Sequence, residues 1–421
     1  MKKVCMLFTV LVVVLAGTLM ACGNGEKEET TTPTTPTTPT TPTTPTTPTI
    51  EYKDLSIGAG NVLSGPYAPM VLQMHDAALL AVEEINAAGG IQIGNTIYTM
   101  KLYTEDTAGT GPGGYSATEK LLAEHPDISK MMMAASTTTE GAQALTIPQE
   151  VLLTTMATER SVVAKPYTLQ GDQGMDYIIP AMWKWVSENY PDLKKAFVLV
   201  TDDPLGKISE DAHTKAIDYF GLELVGLTRY EIGTQDFYPL IGNMLDADPD
   251  IVFINPYEFL IVPQARELGY DGVFALWGPM LDFWWYADPA DIEGIISMSL
   301  DINSPMIPAP IKKFYTDYEN KYGVSALSGF NIYALFHYVY PYIIKDVIEK
   351  AQSIDNDDIM AVVESDTVFE NPWGQGRFRD HQWEVPVPIA AVVNGRLTQV
   401  GWISGSDAMD LMEVTGVYSG T

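Results

Sequence analysis

The sequence predicts an α/β protein with two doubly wound lobes, each a parallel sheet covered by helices. Strand-like and helix-like segments alternate along the chain, which is typical of parallel strands joined by helical crossovers. The alternation starts again after Gly174, and about 370 residues follow the N-terminal region. That length exceeds what one hydrophobic core usually supports, so two series of elements indicate two lobes.

The first series opens with an apolar strand and a helix that has apolar residues at helical spacing until Gly89 and Gly90 end it. The spacing is set by Met70, Met74, Ala77, Ala81 and Ile85. The series comprises strands at 55–63, 98–104, 130–135 and 151–156 and helices at 70–85, 115–124 and 141–146.

The second series repeats the pattern after Gly174. It comprises helices at 175–188, 209–220, 236–245 and 259–268 and strands at 196–201, 222–230, 251–255 and 273–277. Because ligands of doubly wound folds bind outside the carboxyl ends of the strands, the loops after strands are the candidate binding loops.

The N-terminus predicts a lipid-anchored exported protein. A basic start at Lys2 and Lys3 precedes an apolar run at 4–19, which is too short for a comfortable membrane span. Leu19-Met20-Ala21-Cys22 has the form of a lipobox, in which cleavage before Cys22 leaves a cysteine that carries diacylglycerol. An ordinary signal peptide that happens to contain a cysteine is the alternative.

A threonine and proline repeat at 30–49 follows a short polar, acidic stretch. Proline at every third position excludes helix and sheet and favours a solvated polyproline II spacer, about 60 Å long at roughly 3.1 Å per residue. The repeat therefore predicts a stalk between lipid and fold. Such tracts can carry O-linked sugars, and the sequence leaves that open.

Charge and cysteine content exclude several function classes. The chain has 24 basic and 54 acidic residues, a net charge of −30, and loss of the first 21 residues removes two lysines and no acid to give −32. Nucleic acid is a poor partner for such a chain, and solubility outside the cell is the simplest interpretation. The folded part has no cysteine, so it has no disulfide, thiol nucleophile or cysteine-ligated metal.

No enzyme motif stands out, and we expect no cofactor, no metal and no catalysis. The five histidines are scattered without metal-ligand spacing, and neither a nucleophile elbow nor a phosphate loop with its lysine is present. The glycine-rich run at 109–114 contains a proline and no lysine, so we interpret it as a flexible turn. Acidic pairs such as Asp202-Asp203 are interpreted as solvated faces.

One loop suits an anion on physical grounds alone. Thr137-Thr138-Thr139-Glu140 leaves a strand and enters a helix with capping-box spacing, which places hydroxyls and unpaired N–H groups at the positive end of a helix. A carboxylate fits such a place. From spacing alone, a simple helix cap by Thr137 explains the pattern equally well.

Several motifs agree in order and spacing with one known family. They are Ser64-Gly65-Pro66, Glu84-Ile85-Asn86-Ala87-Ala88-Gly89-Gly90-Ile91, Ser136-Thr137-Thr138-Thr139, Ala157-Thr158, Gln264-Ala265-Arg266-Glu267-Leu268-Gly269-Tyr270 and Gly278-Pro279. Over residues 55–402 the chain resembles the substrate-binding proteins of branched-chain amino acid type ABC transporters. The resemblance implies a type I periplasmic-binding fold, in which two lobes close on a ligand about a three-segment hinge.

The resemblance also implies where the chain crosses between the lobes. The crossings fall near Gly171, near Asp301 and at 377–380, and the helix at 328–351 returns to the first lobe. Residues 54–170 with 301–378 would form lobe 1, and residues 171–300 with 379–421 would form lobe 2, after a signal peptide at 1–21 and a linker at 22–53.

Ligand contacts carried over by resemblance lie on loops after strands. The family hydroxyl is matched most closely by Thr138, with Thr139 beside it, and a second contact point by the Met156 backbone and the Thr158 hydroxyl. Tyr257 matches a contact from the second lobe. Thr158 as an ordinary turn residue is the alternative.

The opposite wall departs from the family pattern. Amino acid-binding members have a glutamate after Gly-Pro that faces the ligand ammonium, whereas this chain has Met280. A buried ammonium without a counter-charge is costly. Asp282 could supply the charge or could be a solvated loop residue. Leu205 stands where a tyrosine is common, so an α-amino acid ligand is in doubt.

Aromatic side chains surround the same loop. They are Trp277, Phe283, Trp284, Trp285 and Tyr286, and Tyr67 with Met70 would close the side-chain end of the pocket. Rings supply apolar area and can hold a cation without a carboxylate. Core packing is the alternative, equally open for Trp277. A ligand larger or more apolar than leucine, or one that lacks a primary amine, fits best.

These observations together predict a monomeric, surface-anchored solute receptor that passes a small organic molecule to an ABC transporter permease. The predicted location is extracytoplasmic, at the membrane through Cys22. A ligand sensor of the same fold that reports to a signalling protein is the alternative, and an extracellular hydrolase lacks a supporting residue set.

Overall fold

The computed structural model describes residues 49–65, 68–255, 258, 260–277, 288–323 and 331–418. Its strands are β1 (Glu51–Asn61), β2 (Ile91–Ile93), β3 (Thr96–Asp106), β4 (Lys130–Met133), β5 (Leu152–Thr155), β6 (Thr168–Gln170), β7 (Lys195–Thr201), β8 (Glu223–Tyr230), β9 (Ile251–Asn255), β10 (Val273–Leu276), β11 (Ile296–Ser297), β12 (Phe369–Asn371), β13 (Gly374–Gly376), β14 (Phe378–Arg379), β15 (Gln382–Trp383), β16 (Val387–Val393) and β17 (Arg396–Ile403).

The helices fill the connections between these strands. They are α1 (Ala68–Ala87), α2 (Gly111–Glu124), α3 (Ser136–Thr146), α4 (Arg160–Val163), α5 (Met175–Asn189), α6 (Pro204–Tyr219), α7 (Tyr238–Asp246), α8 (Ile261–Glu267), α9 (Ala309–Tyr322), α10 (Asn331–Ala351), α11 (Asn356–Val363) and α12 (Gly405–Val414).

Two large sheets organise the described part of the chain. The first has the strand order β14-β15-β6-β5-β4-β1-β3-β2 and the second the order β17-β16-β11-β10-β9-β7-β8. Their central strands are parallel, as the alternation predicts. All five residues of β9 are buried, because a strand covered by helices on both faces has no solvent side. The predicted α/β class with two lobes is confirmed.

Both sheets are mixed at their edges, which the prediction of parallel sheets did not anticipate. β2 pairs antiparallel with β3, and β14 pairs antiparallel with β15. In the second sheet β16 pairs antiparallel with both β11 and β17. Short turns join β2 to β3, β14 to β15 and β16 to β17, since a hairpin needs only a tight turn whereas a parallel pair needs a crossover. The pair β11–β16 is joined by a long connection instead.

The described chain crosses between the two sheets three times. It leaves the first sheet after Gln170 and joins the second at Lys195, and it leaves the second after Ser297. It returns to the first sheet for β14 and β15 and joins the second again at Val387. The residue bounds of the two lobes stay a prediction.

The glycine-rich run at 109–114 packs two helices together. Thr110 caps α2 by accepting a hydrogen bond from Gly113 N at 3.0 Å, so the helix begins inside the run that we interpreted as a flexible turn. A Cβ on Gly114 would lie 2.2 Å from the carbonyl oxygen of Thr138. Only glycine permits this approach, which sets α2 against the first turn of α3.

Candidate functional site

The loops after β4 and β5 meet at the carboxyl edge of the first sheet. The hydroxyl of Ser136 accepts a hydrogen bond from Thr158 N at 2.9 Å and lies 3.3 Å from the Thr158 hydroxyl. Because β4 and β5 are adjacent parallel strands, their following loops emerge side by side. The structure therefore brings together the loops at Ser136 and Thr158, which the sequence analysis had identified separately as candidate binding loops.

Helix α3 begins at Ser136, so the predicted capping box is wrong. Ala135 occupies the N-cap position and has no side chain that could accept a hydrogen bond. Thr137 is exposed, and its hydroxyl lies 3.4 Å from the carbonyl oxygen of Gly109. Thr137 was predicted as the cap because threonine is a good N-cap residue. However, β4 ends at Met133 and α3 begins at Ser136, so Thr137 already lies inside the helix.

Thr138 and Thr139 are fully buried in the first turn of α3. Both hydroxyls donate to the carbonyl oxygen of Ala135, at 2.9 and 2.7 Å. The Thr139 hydroxyl is also 2.6 Å from that of Thr155 at the end of β5. These bonds fix the turn against the sheet. An anionic ligand would accept from the first N–H groups of the turn, or from a threonine hydroxyl that turns its proton from the carbonyl oxygen of Ala135 to the ligand.

The second predicted contact point is also hydrogen-bonded inside the protein. The backbone N–H of Met156 donates to the carbonyl oxygen of Met133 at 3.1 Å and so extends the sheet. The Thr158 hydroxyl donates to Glu159 Oε2 at 3.0 Å. A ligand carboxylate at Thr158 would therefore take this proton in place of Glu159.

Trp277 lies at the end of β10 and is buried in the larger core cluster. Its ring centroid is 6.4 Å from that of Tyr333 on α10. Helix α10 packs against α1, which covers the first sheet, so this ring contact joins elements of both sheets. This contact is consistent with both roles considered for Trp277, packing in the core and contact with a ligand.

Several predicted site residues lie outside the described residues. These are Tyr67, Tyr257, Met280 and Asp282, together with the lipidation residue Cys22 and the aromatic residues at 283–286. Met70 belongs to α1, but its side chain is not among those that the structure describes.

Arg160, which the sequence analysis did not select, is the buried cation of this region. Its side chain is 9% exposed, and Nη2 donates to the carbonyl oxygens of Arg379, at 3.2 Å, and of Asp380. Its guanidinium also lies over the Tyr418 ring at 4.9 Å from the centroid. A lone arginine in a polar loop gives no sequence signal, because its burial depends on a hairpin more than 200 residues later.

Two buried aspartates lie where the chain leaves the first sheet. Burial raises the pKa of Asp176 to about 6, although nearby Arg160 opposes the shift. Burial also raises the pKa of Asp172 well above its usual value. The side-chain amide of Gln382 donates to the carbonyl oxygen of Asp172 at 2.6 Å, which ties the first crossing to β15.

Two other types of site are absent from the described residues. No group of three or more His, Cys, Asp and Glu side chains there is arranged to hold a metal ion. Among the same residues, no helix is both long and apolar enough to cross a bilayer.

Comparison with known proteins identifies the family. Residues 54–396 match the sequence profile described as "Periplasmic binding protein". The chain belongs to the periplasmic binding protein family. Membership confirms the predicted resemblance and the prediction of a binding protein in place of an enzyme, and the family implies an extracytoplasmic location.

The relatives of this periplasmic binding protein are distant in sequence but similar in fold. It is 23% identical over 333 residues to a leucine-, isoleucine-, valine-, threonine- and alanine-binding protein of Pseudomonas aeruginosa, covering 76% of this chain and 84% of that one. The structure of a protein of the same name from Brucella ovis, in a closed conformation, has a TM-score of 0.72 at 20% identity, covering 84% and 96% of the two chains.

A third relative binds an aromatic acid. A solute-binding protein of an ABC transporter from Rhodopseudomonas palustris, solved in complex with 3,4-dihydroxybenzoic acid, has a TM-score of 0.68 at 17% identity, covering 84% and 98% of the two chains. At these identities the solved structures establish the shared fold.

Proposed function

We propose that this periplasmic binding protein is a lipid-anchored receptor that captures a small carboxylate between its two lobes and delivers it to an ABC transporter permease. Cys22 carries the lipid, and the threonine and proline repeat holds the folded part away from the membrane. Binding closes the hinge, and the closed form docks on the permease. The protein acts as a monomer and changes no bond of its ligand.

The convergence of Ser136 and Thr158 is the observation on which this proposal rests. The two residues are hydrogen-bonded across adjacent strands, beside a helix N-terminus that no side chain caps. Backbone N–H groups and the helix dipole at such an end stabilise an anion. Thr138, Thr139 and Thr158 set the shape of this anion site, and the backbone of Met156 lies beside it.

The named relatives support a carboxylate as the shared ligand feature. Amino acids and 3,4-dihydroxybenzoic acid both have a carboxylate, whereas only the amino acids have an ammonium. This chain has Met280 where amino acid-binding members have a glutamate, so the carboxylate is retained and the ammonium is dispensable. We therefore propose an apolar or aromatic carboxylate in preference to an α-amino acid, with Trp277, Tyr257, Tyr67 and Met70 around its body.

A thermal-shift screen with matched pairs tests the ligand class. Benzoate is compared with benzamide, and L-leucine with L-leucine amide, because each amide keeps the shape and removes the negative charge. We expect the acids to raise the melting temperature, since a ligand that binds only the folded state stabilises it by mass action. Equal shifts by acids and amides would contradict the carboxylate.

Substitution of the threonines tests the site. For the acid that shifts melting most, Thr138→Ala combined with Thr158→Ala should weaken calorimetric affinity tenfold or more, because each hydrogen bond to a charged group contributes about 1.5 to 3 kcal/mol. Thr214→Ala is the control, since Thr214 is exposed on α6 and its hydroxyl bonds back to the carbonyl oxygen of Glu210. Unchanged affinity in a folded double variant would rule out this site.

A further inference from the structure

A cavity open to solvent lies beside the candidate site, between elements of the two sheets. Its volume is about 360 Å³. One wall is the loop after β5, which continues from Thr158, and the facing wall is the first half of α6, which packs on β7 and β8 of the second sheet. The residues after α12 close one end. The volume suits a molecule with one ring or a short aliphatic chain.

Arg160 lines this cavity with part of its hydrogen-bonding capacity unused. Nη2 is bonded to the β14–β15 hairpin, but Nε and Nη1 are shielded from solvent and have no hydrogen-bond partner among the described residues. The nearest carboxylate in an ion pair is that of Asp380, 3.9 Å from Nη2 and half exposed. A buried guanidinium in this state favours an additional acceptor, since buried polar groups are almost always satisfied.

The cavity lining carries charges of both signs. Its carboxylates already have partners: Glu159 accepts from Thr158, Asp211 pairs with Lys215 at 2.8 Å, and Asp176 accepts from backbone N–H groups at the start of α5. Lys207, the second cation of the lining, is exposed and forms no ion pair within the described part of the chain. The hydrogen bonds of Glu159 and Asp176 do not cancel the charges of these carboxylates, and Asp176 also interacts with the charge of Arg160. The donors that the lining offers to an acid are those of Arg160 and Lys207.

We propose that this cavity is a second binding site, for a small monocarboxylic acid whose carboxylate accepts from the free N–H groups of Arg160 and whose apolar body lies against Ile208, Val417 and Tyr418. Lys207 approaches the carboxylate from α6. Because Arg160 belongs to one wall and Lys207 to the other, an acid bound here joins both walls of the cavity and favours their close approach. The site is separate from that of Thr138 and Thr158.

Crystallography with a brominated probe locates the site directly. Crystals of the full chain are grown with 4-bromobenzoate, and the anomalous signal of bromine gives its position without any substitution. We expect a bromine peak in the cavity, with the carboxylate within hydrogen-bond distance of Arg160. A peak only beside Thr138 and Thr158 would support the proposed function and overturn this inference, and no peak at either place would also overturn it.

Calorimetry tests the role of the arginine. Benzoate should bind the full chain in the manner of the brominated probe, and Arg160→Gln should weaken binding at this site at least tenfold, with Arg160→Lys intermediate. Arg229→Gln is the matched control, because Arg229 in β8 pairs with Glu210 of α6 outside the cavity. Benzamide should bind far more weakly than benzoate. Equal binding of benzamide, or full benzoate affinity in folded Arg160→Gln, would overturn the proposal.

Discussion

At the scale of single residues, the buried Lys130 makes the stability of the fold depend on pH above neutrality. Lys130 is fully buried at the start of β4, and its Nζ donates to the carbonyl oxygen of Ile354 at 2.9 Å and to Ser129 Oγ at 3.1 Å. Burial lowers the pKa of Lys130 to about 7, against an ordinary value of 10.5, and the charge of Asp355 offsets only part of this effect. The folded state therefore binds fewer protons than the unfolded state between these two pH values.

The sign of the pH effect follows from this difference in bound protons. Where the unfolded state binds more protons, stability rises with pH, so Lys130 contributes a rise between about pH 7 and pH 10 of up to roughly 1.4 kcal/mol per pH unit. In Lys130→Met this contribution is absent. Urea unfolding at several pH values should show that the free energy of unfolding of the wild type, minus that of the variant, increases as pH increases.

The control for this prediction is Lys350→Met, at an exposed position in the last turn of α10. Its free energy of unfolding should follow that of the wild type across the same pH range. If the curves for wild type and Lys130→Met ran parallel between pH 7 and pH 10, Lys130 would not be the neutral amine that its burial indicates.

The site residues show how far sequence reasoning reaches at this scale. Thr138 and Thr158 could be selected because each follows a predicted strand, and adjacent strands bring their loops together. The hydrogen bonds of Thr138 and Thr139 to Ala135 could not be predicted, because they depend on where the helix begins. Arg160 was missed because its acceptors come from a distant hairpin.

At the scale of elements, one aspartate begins a helix of the second half of the chain. Asp203 Oδ1 accepts from Gly206 N at 2.7 Å and from the Thr201 hydroxyl at 2.8 Å, so this residue is the N-cap of α6. The sequence analysis grouped it with Asp202 as a solvated pair. The two aspartates have different roles, because only Asp203 directly precedes Pro204, the first residue of the helix.

Asp203→Ala should lower the free energy of unfolding by about 1 to 2 kcal/mol, because the first turn of α6 loses its cap. Asp203→Asn should retain most of the stability, since asparagine caps equally well. Asp202→Ala is the matched control, because the exposed Asp202 is 3.7 Å from Arg229 and such surface pairs contribute about 0 to 1 kcal/mol. Chemical denaturation would contradict the assignment if both alanine variants lost the same amount.

Elements with continuous burial were predicted best. The strand predicted at 251–255 coincides with β9, because a strand buried on both faces is an unbroken apolar run. β6 was missed, since its residues Thr168 and Gln170 are polar although buried, and are satisfied by bonds to Gln143 and to the carbonyl oxygen of Ala157. A strand whose buried side chains are polar shows no hydrophobic periodicity in the sequence, so it could not be predicted from that pattern.

Helix α9 was missed although its signal is present. Its buried residues recur at helical spacing, as Ile311, Phe314, Tyr315 and Tyr318. The prolines at 308 and 310 obscure the start, yet proline is favoured in the first turn of a helix. The apolar spacing together with a proline in the first turn is therefore enough to predict α9 from the sequence.

For the whole molecule, acidity sets how stability depends on salt. The net charge is −30. Raising sodium chloride from about 10 to 150 mM shortens the screening length from about 30 to 8 Å, which reduces the mutual repulsion that opposes a compact state. We expect the melting temperature to rise. An uncharged osmolyte at equal osmolality is the control, and a fall in melting temperature with salt would show that attractive pairs dominate.

The pairing of β11 with β16 sets an order of assembly during synthesis. Ile296 is paired with Ala391, on a strand made only after α9, α10 and α11. The ribosome therefore releases the edge of β11 well before its neighbour exists, and an open edge is a template for pairing with other chains. The second sheet is therefore complete only when β16 and β17, the last two strands of the described residues, have been made.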